Sequence, residues 1–146
     1  MINDHVTEAL DLFRSGFHCS QAVLAPFSEE LGLQREIALK IACPFGGGLG
    51  GYGRTCGALT GAMMVIGLKY GTTVATDLEA KKLSREKTRA LIETFEKSHG
   101  SCTCNELVGF DRSCLAGADL MAKLPFFHST CQKFLETVIT YLEEEL

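Results

Sequence analysis

The chain has 146 residues, a net charge of −4 and 46% hydrophobic residues, which is typical of one soluble globular domain. Its basic residues are scattered, except for a group at 81–89 that alternates with glutamates and predicts a solvated helix face. This balance argues against nucleic-acid binding. The longest apolar run is too short for a membrane span, and no secretory signal opens the chain. We therefore expect a cytoplasmic protein without membrane insertion.

Helical spacing of apolar residues characterises the first part of the chain. A first helix is predicted from a cap at Asn3 or Asp4 to Gly16. A second covers about residues 17–31, with Gly32 as its C-cap, and a short third covers 34–42. Pro44 then stops the third helix.

The glycine-rich stretch at 45–71 is predicted to be a turn followed by an apolar helix over about 55–70. Gly57 and Gly61, with alanines beside them, give this helix a face of small residues. Another helix, a cofactor or a second copy in a homodimer could approach that face closely. Cys56 lies at the start of this helix, where the helix dipole favours the thiolate, so we expect a low pKa there.

The second half of the chain is also read as helical. A long polar helix is predicted from Thr76 or Asp77 to about Ser98, followed by a connection over 101–117 with one helical turn at 105–108. Pro125 interrupts the next apolar stretch, and a final helix is predicted over 126–145. No segment alternates with a period of two. The sequence therefore predicts one all-α domain over residues 1–146, a bundle of five to seven helices with a glycine-rich loop before the central helix.

Seven cysteines are the main chemical feature of this sequence. In a reducing compartment such a set is more often metal-binding or redox-active than a disulfide framework. No pair has CxxC spacing, and the nearest cysteines are Cys102 and Cys104, so any cysteine site has to be assembled by the fold. For Cys43 and Cys114 a space-filling role is an equally good interpretation.

Residues 48–53 match the GxGxxG pattern of dinucleotide-binding proteins. That fingerprint requires a preceding strand and a βαβ unit, whereas the flanking segments here are predicted to be helical. We therefore do not expect nucleotide binding at this loop.

Four segments of the chain carry a resemblance to a known family. They are HCSQAVL around Cys19, FGGG with CGALTGAMMVIGLKYG around Cys56, CNELVG around Cys104, and Cys131 at the opening of the last helix. The chain resembles, over nearly its whole length, the redox-active family named for its C_GCAxxG_C_C cysteine pattern. The resemblance implies a small helical redox protein whose family cysteines are these four. Similar domains accompany iron–sulfur or cytochrome electron-transfer modules. Cys43, Cys102 and Cys114 fall outside the pattern.

Three hypotheses follow for the function. In the first, Cys19, Cys56, Cys104 and Cys131 ligate an iron–sulfur cluster or another metal, and N–H groups of the glycine-rich segment, at Gly46, Gly47, Gly48 and Gly57, contact that cofactor. In the second, Cys56 attacks a disulfide of an unknown redox partner and Cys104, Cys19 or Cys131 resolves it, so that Cys56 and Cys104 are the catalytic candidates. In the third, the chain is a non-catalytic interaction domain with a structural zinc site or core-filling cysteines. Whether the protein is an enzyme stays open.

Overall fold

A computed structural model describes residues 4–146. The described chain contains eight α-helices, and its fold is all-α, as the sequence predicts. The helices are α1 (His5–Arg14), α2 (Cys19–Ser28), α3 (Arg35–Ala42), α4 (Gly57–Tyr70), α5 (Leu78–His99), α6 (Cys104–Val108), α7 (Gly117–Thr130) and α8 (Gln132–Glu145). Short 3₁₀ turns follow α2 at Glu29–Leu31 and α3 at Cys43–Phe45.

The core is built on α2, α4 and α8. Helix α4 is buried along most of its length, and α2 packs along it, while α8 crosses α1, α2, α4 and α5. Helix α8 is amphipathic, and its buried residues recur at helical spacing: Phe134, Leu135, Val138, Ile139 and Leu142. These three helices fix the positions of the segments that carry the cysteines.

Helices α2 and α4 approach each other closely because Gly61 has no side chain. A Cβ atom at Gly61 would lie 2.7 Å from the carbonyl oxygen of Ser20 and 3.0 Å from the Cβ of Val23. Both distances are shorter than van der Waals contact allows. The small-residue face predicted for α4 is therefore covered by α2 of the same chain.

The helix ends carry the caps that the sequence indicates. Asp4 accepts a hydrogen bond from the Thr7 N–H at 2.9 Å at the start of α1, and Asn3, the alternative cap, lies outside the described residues. Asp77 accepts from the Ala80 N–H at 3.0 Å at the start of α5, and Gly100 ends that helix in the left-handed conformation.

The C-terminal region differs from the prediction. The single helix predicted over 126–145 is two helices, and the break lies at Cys131 and not at Pro125. Pro125 lies inside α7, one turn after Met121, which is 66% exposed, so the carbonyl that the proline leaves without a donor can be solvated. The predicted count of five to seven helices is too low because the sequence predicts no separate helix where α7 lies.

Within residues 4–146, none of the helices combines the length and apolar character needed to cross a bilayer.

Candidate functional site: a four-cysteine cavity

The glycine-rich loop before α4 is folded back on itself by its own backbone. The Gly53 N–H donates to the Gly47 carbonyl at 3.0 Å, and the Arg54 N–H donates to the Gly48 carbonyl at 2.8 Å. The loop delivers the chain to a two-residue antiparallel bridge between Thr55 and Thr103. This bridge joins two segments that are far apart in sequence.

The bridge sets Cys56 and Cys104 beside each other. The Cys56 N–H donates to the Cys102 carbonyl at 2.8 Å, and the Cys104 N–H donates to the Arg54 carbonyl at 2.5 Å. Gly48 makes room for this arrangement, because it has a φ of 70° and a Cβ on it would lie 2.7 Å from the Cβ of Cys104. The glycine loop therefore lies directly against one of the four family cysteines.

Cys19 reaches the same place from α2. It is the first residue of that helix, and a Cβ atom on Gly57 would lie 3.1 Å from the Cβ of Cys19. The next residue, Ser20, is buried and donates its hydroxyl to the Ala42 carbonyl at 2.8 Å, which ties the start of α2 to the end of α3. Cys131 lies at the junction of α7 and α8.

Cys19, Cys56, Cys104 and Cys131 all line one cavity of about 20 Å³. Only 4% of Cys56, 7% of Cys104 and 5% of Cys131 is exposed, so the sulfur atoms are largely closed off from solvent. A cavity needs about 10–15 Å³ to hold a water molecule, so this one has room for about one group of that size. The other lining residues are Gly47, Gly48, Gly57, Leu107, Val108, Arg112 and Phe134.

Three of the four glycines expected near a cofactor lie at this cavity. Gly47, Gly48 and Gly57 line it, whereas Gly46 does not and lies against the side chain of His18. Whether their N–H groups contact a cofactor stays a prediction.

The three remaining cysteines lie away from the cavity. Cys43 and Cys114 are exposed. Burial and a hydrogen bond with Glu96 raise the pKa of Cys102 to about 12, and its side chain does not line the cavity. The structure thus separates the cysteines into the four of the family pattern and three others.

The expected low pKa of Cys56 is not found. Burial raises the pKa of this thiol to about 12. The N–H groups of Ala58 and Leu59, at the start of α4, act in the opposite direction, as the helix dipole argument predicts, but desolvation outweighs them. Cys56 is therefore a protonated thiol at neutral pH and a poor candidate for the attacking thiolate.

Cys131 is the cysteine whose environment favours the thiolate. A hydrogen bond from the Cys19 thiol lowers the pKa of Cys131, and the positive charges of Arg112 and Lys133 act in the same direction against its burial. The same hydrogen bond, together with burial, raises the pKa of Cys19 well above its usual range. Of the two thiols, Cys131 is therefore the one that ionises first, and Cys19 keeps its proton.

Arg112 brings a positive charge to the cavity, and the sequence reasoning missed it. Its Nη1 atom lies 4.0 Å from the Cys104 sulfur. It partly offsets the burial that raises the pKa of Cys104. Its Nε atom is buried without a hydrogen-bond partner, and no carboxylate of residues 4–146 lies within ion-pair distance of its side chain. An isolated arginine eight positions after Cys104 is the only signal in the sequence that could have indicated it.

Two neighbours hold Arg112 in position. The Asn105 side-chain oxygen accepts from the Arg112 N–H at 2.9 Å, and the Asn105 amide donates to Asp111 at 3.1 Å. The guanidinium lies 4.3 Å from the ring centroid of Phe127, the buried residue of α7. Asn105 and Phe127 therefore fix Arg112, whose side chain lines the cysteine cavity.

The fit of a metal can be judged from the same residues. Four thiols are the usual donor set of iron–sulfur and structural zinc sites. Among the described residues, however, no three His, Cys, Asp or Glu side chains are arranged so that they could hold a metal ion. A cavity of about 20 Å³ also leaves no room for a cluster between the sulfur atoms. The donor chemistry fits, but this arrangement of the side chains does not.

Comparison with known proteins identifies a family. Residues 17–145 match the model of a family described as "Putative redox-active protein (C_GCAxxG_C_C)". No curated protein and no solved structure matches the chain significantly.

Proposed function

The chain belongs to the C_GCAxxG_C_C family, and we propose that it acts as a thiol–disulfide redox protein with Cys131 and Cys19 as its reactive pair. The observation that supports this most strongly is the convergence of the four cysteines, from separate segments, on one small cavity beside Arg112. Within that cavity Cys19 and Cys131 are neighbours, and their interaction raises the pKa of Cys19 and lowers the pKa of Cys131. A protonated thiol beside a thiolate is the arrangement that disulfide exchange requires.

The exchange proceeds in two steps. The Cys131 thiolate attacks one sulfur of a partner disulfide, forms a mixed disulfide and releases the other partner sulfur as a thiolate. Cys19 then gives its proton to a base, attacks the Cys131 sulfur and releases the second partner thiolate. The Cys19–Cys131 disulfide has formed, the two protein sulfurs have lost two electrons, and the partner disulfide has gained them.

The other two cavity cysteines have different roles in this proposal. Cys56 stays protonated because its pKa is about 12. It therefore forms part of the cavity wall and does not act as a nucleophile. Cys104 contacts Arg112 and can exchange with Cys131 once the first disulfide has formed. The catalytic pair expected from the sequence, Cys56 and Cys104, is thus replaced by Cys131 and Cys19.

Access to the pair requires local opening. Because only 5% of Cys131 is exposed, a partner disulfide reaches its sulfur when α7, whose Phe127 ring packs against the Arg112 guanidinium, moves away. Helix α7 contacts the rest of the bundle mainly through α8, and Phe127 is its buried residue. Opening at α7 therefore disturbs little of the core.

A redox titration tests the proposal. The protein is equilibrated with graded ratios of reduced and oxidised dithiothreitol, quenched with acid, alkylated and weighed intact. The expected result is a reversible loss of two alkylated thiols per chain, which Cys19→Ser or Cys131→Ser abolishes. Cys43→Ser and Cys114→Ser are the matched controls, because both residues are exposed and lie off the cavity. Six or seven reactive thiols at every ratio would contradict the proposal.

A second candidate is a metal or iron–sulfur centre held by Cys19, Cys56, Cys104 and Cys131. The four-thiol donor set and the buried charge of Arg112 favour it, because a thiolate-ligated centre is anionic. It requires the cysteines to separate from the arrangement described above. Purification without oxygen, followed by assays for iron, zinc and acid-labile sulfide, distinguishes the two. Stoichiometric metal that is lost when any of the four cysteines is changed to serine supports the metal or iron–sulfur centre. Metal-free protein with four free cavity thiols supports the Cys19–Cys131 dithiol.

A further inference from the structure

The cavity between the four sulfurs is sized and charged for a single additional sulfur atom. We propose that Cys131 carries a persulfide, with its terminal sulfur in this cavity and its negative charge held by Arg112. The protein would then accept sulfane sulfur from a low-molecular-weight persulfide. This rests on the proposed function, because Cys19 and Cys131 also perform the release step.

The size of the cavity limits what can be bound. About 20 Å³ accepts one water-sized group and excludes a peptide or a nucleotide. The walls are sulfur, glycine and apolar side chains, with Leu107, Val108 and Phe134 on one side. Soft, polarisable sulfur is a better occupant of such walls than water, which needs two to four polar partners.

The charge at the cavity selects for an anion. The Arg112 guanidinium lies at the cavity, its Nε atom is buried without a partner, and Gly47 leaves the space that a Cβ would fill at 3.0 Å from its Nη2 atom. Leaving such a donor buried and unpaired is costly unless an acceptor occupies the site for part of the reaction cycle. The terminal sulfur anion of a persulfide on Cys131 supplies that acceptor.

The loading step conserves atoms and electrons. The Cys131 thiolate attacks the outer sulfur of the donor persulfide, the new bond joins the two sulfurs, and the donor leaves as a thiolate. The proton of the transferred sulfur passes to water, which leaves a terminal anion beside Arg112. No net oxidation occurs, because a sulfur atom in the zero oxidation state moves from one thiolate to another.

The release step uses the neighbouring thiol. Cys19 attacks the Cys131 sulfur of the persulfide, forms the Cys19–Cys131 disulfide, and hydrosulfide leaves with the proton from Cys19. The transferred sulfur gains two electrons and the two cysteine sulfurs lose them. Two molecules of a low-molecular-weight thiol then reduce that disulfide: the first forms a mixed disulfide with one cysteine, the second releases it as the low-molecular-weight disulfide, and the resting pair is restored.

Mass spectrometry tests the inference directly. Fully reduced protein is treated briefly with glutathione persulfide, separated from the excess and weighed intact under native conditions, and the modified peptide is then mapped. We expect one added sulfur per chain on Cys131, removable by dithiothreitol. Oxidation to a sulfinic acid adds a similar mass but is not reversed by that reagent. Cys19→Ser should retain the added sulfur for longer, because the release step is lost.

The role of Arg112 is tested by Arg112→Gln, with Arg54→Gln as the matched control, since the Arg54 guanidinium lies over the exposed ring of Tyr52. We expect the loaded fraction to fall roughly tenfold in R112Q, the loss of one charge-assisted hydrogen bond, and to stay unchanged in R54Q. Arg112→Lys should recover part of it.

Two results would overturn the inference. Sulfur added equally to Cys43 or Cys114 would show general thiol reactivity, and absence of any added sulfur would exclude the site. If no sulfur is added but the redox titration still removes two thiols through Cys19 and Cys131, the persulfide inference fails alone. If neither occurs, the proposed dithiol function fails with it.

Discussion

The cavity takes Cys19 and Cys56 from the starts of α2 and α4 and Cys131 from the end of α7, and these two regions are packed in different ways. Between α2 and α4 the backbones meet across Gly61, and the side chains around them are almost fully buried. Helix α7 has Phe127 as its buried residue and an exposed outer surface. The first side is close-packed, whereas the second rests on few contacts.

This difference coincides with the chemistry of the cysteines. Cys56, on the close-packed side, is held as a neutral thiol by burial. Cys131, at the end of α7, faces Arg112 and Lys133 and is stabilised as a thiolate. The close-packed side therefore supplies the protonated thiol Cys56. In the proposed function, the side with few contacts supplies the reactive sulfur of Cys131 and the route by which a partner disulfide reaches it.

The largest expected effect comes from removing the reactive sulfur. In a chain that already carries C43S and C114S, we expect Cys131→Ser to slow the first alkylation by iodoacetamide at neutral pH by roughly tenfold or more, because thiolates and not thiols react. The rate is followed by intact mass. An equal slowing by Cys56→Ser would remove the distinction between the two sides of the cavity.

Removing the contact that holds α7 in place should come next. Phe127→Ala deletes its buried side chain and should lower the free energy of unfolding by about 3 kcal/mol. Because the ring that holds Arg112 beside Cys104 is then lost, alkylation of Cys104 should become faster. Urea unfolding and peptide-resolved alkylation measure the two effects.

Phe126→Ala is the matched control for that change, since Phe126 is 38% exposed. It should alter the free energy of unfolding by less than about 1 kcal/mol. Equal effects of the two substitutions would mean that α7 is not held by Phe127.

The close-packed side is tested by two glycines of α4. Gly61→Ala places a methyl group against the Ser20 carbonyl and should lower the free energy of unfolding by about 1–3 kcal/mol. Gly67→Ala, in the same helix, adds a methyl group that meets no atom within 4 Å. This substitution should raise the free energy of unfolding by about 0.5–1 kcal/mol. Urea unfolding of both variants gives the comparison, and destabilisation of the same size at both positions would contradict the close approach of α2.

The last effect is a pH dependence from Cys56. Its pKa is about 12 in the folded chain and near 8.5 in the unfolded chain, so the unfolded state loses this proton first as the pH rises. Its contribution to stability is complete below about pH 8.5 and then declines, by up to about 1.4 kcal/mol per pH unit. Cys56→Ala should therefore flatten the fall in stability between pH 8 and 10, as urea unfolding would reveal.

The sequence predicted the fold well where the signals are local. The caps at Asp4 and Asp77 and the extent of the apolar helix α4 to about residue 70 depend on neighbouring residues, and they were found. Helix α7 was missed because Pro125 looked like a stop signal, whereas an exposed helix tolerates it.

The candidate site was only partly predictable. The resemblance grouped Cys19, Cys56, Cys104 and Cys131, but nothing in their spacing shows that they meet at one cavity. The pKa of Cys56 was predicted in the wrong direction because the helix start is visible in the sequence while desolvation is not. Arg112 reaches the cavity through the loop fixed by Asn105, a tertiary feature that no local pattern encodes.

The most direct test of the account is the identity of the first disulfide to form. The chain carrying C43S and C114S is purified without oxygen, oxidised with a limiting amount of oxidised dithiothreitol, trapped by acid and alkylation, and mapped by peptide mass spectrometry. The account predicts a Cys19–Cys131 linkage as the first product, with Cys56 still alkylated as a free thiol. A first linkage that contains Cys56, or four cavity thiols that stay free at full oxidation, would contradict it.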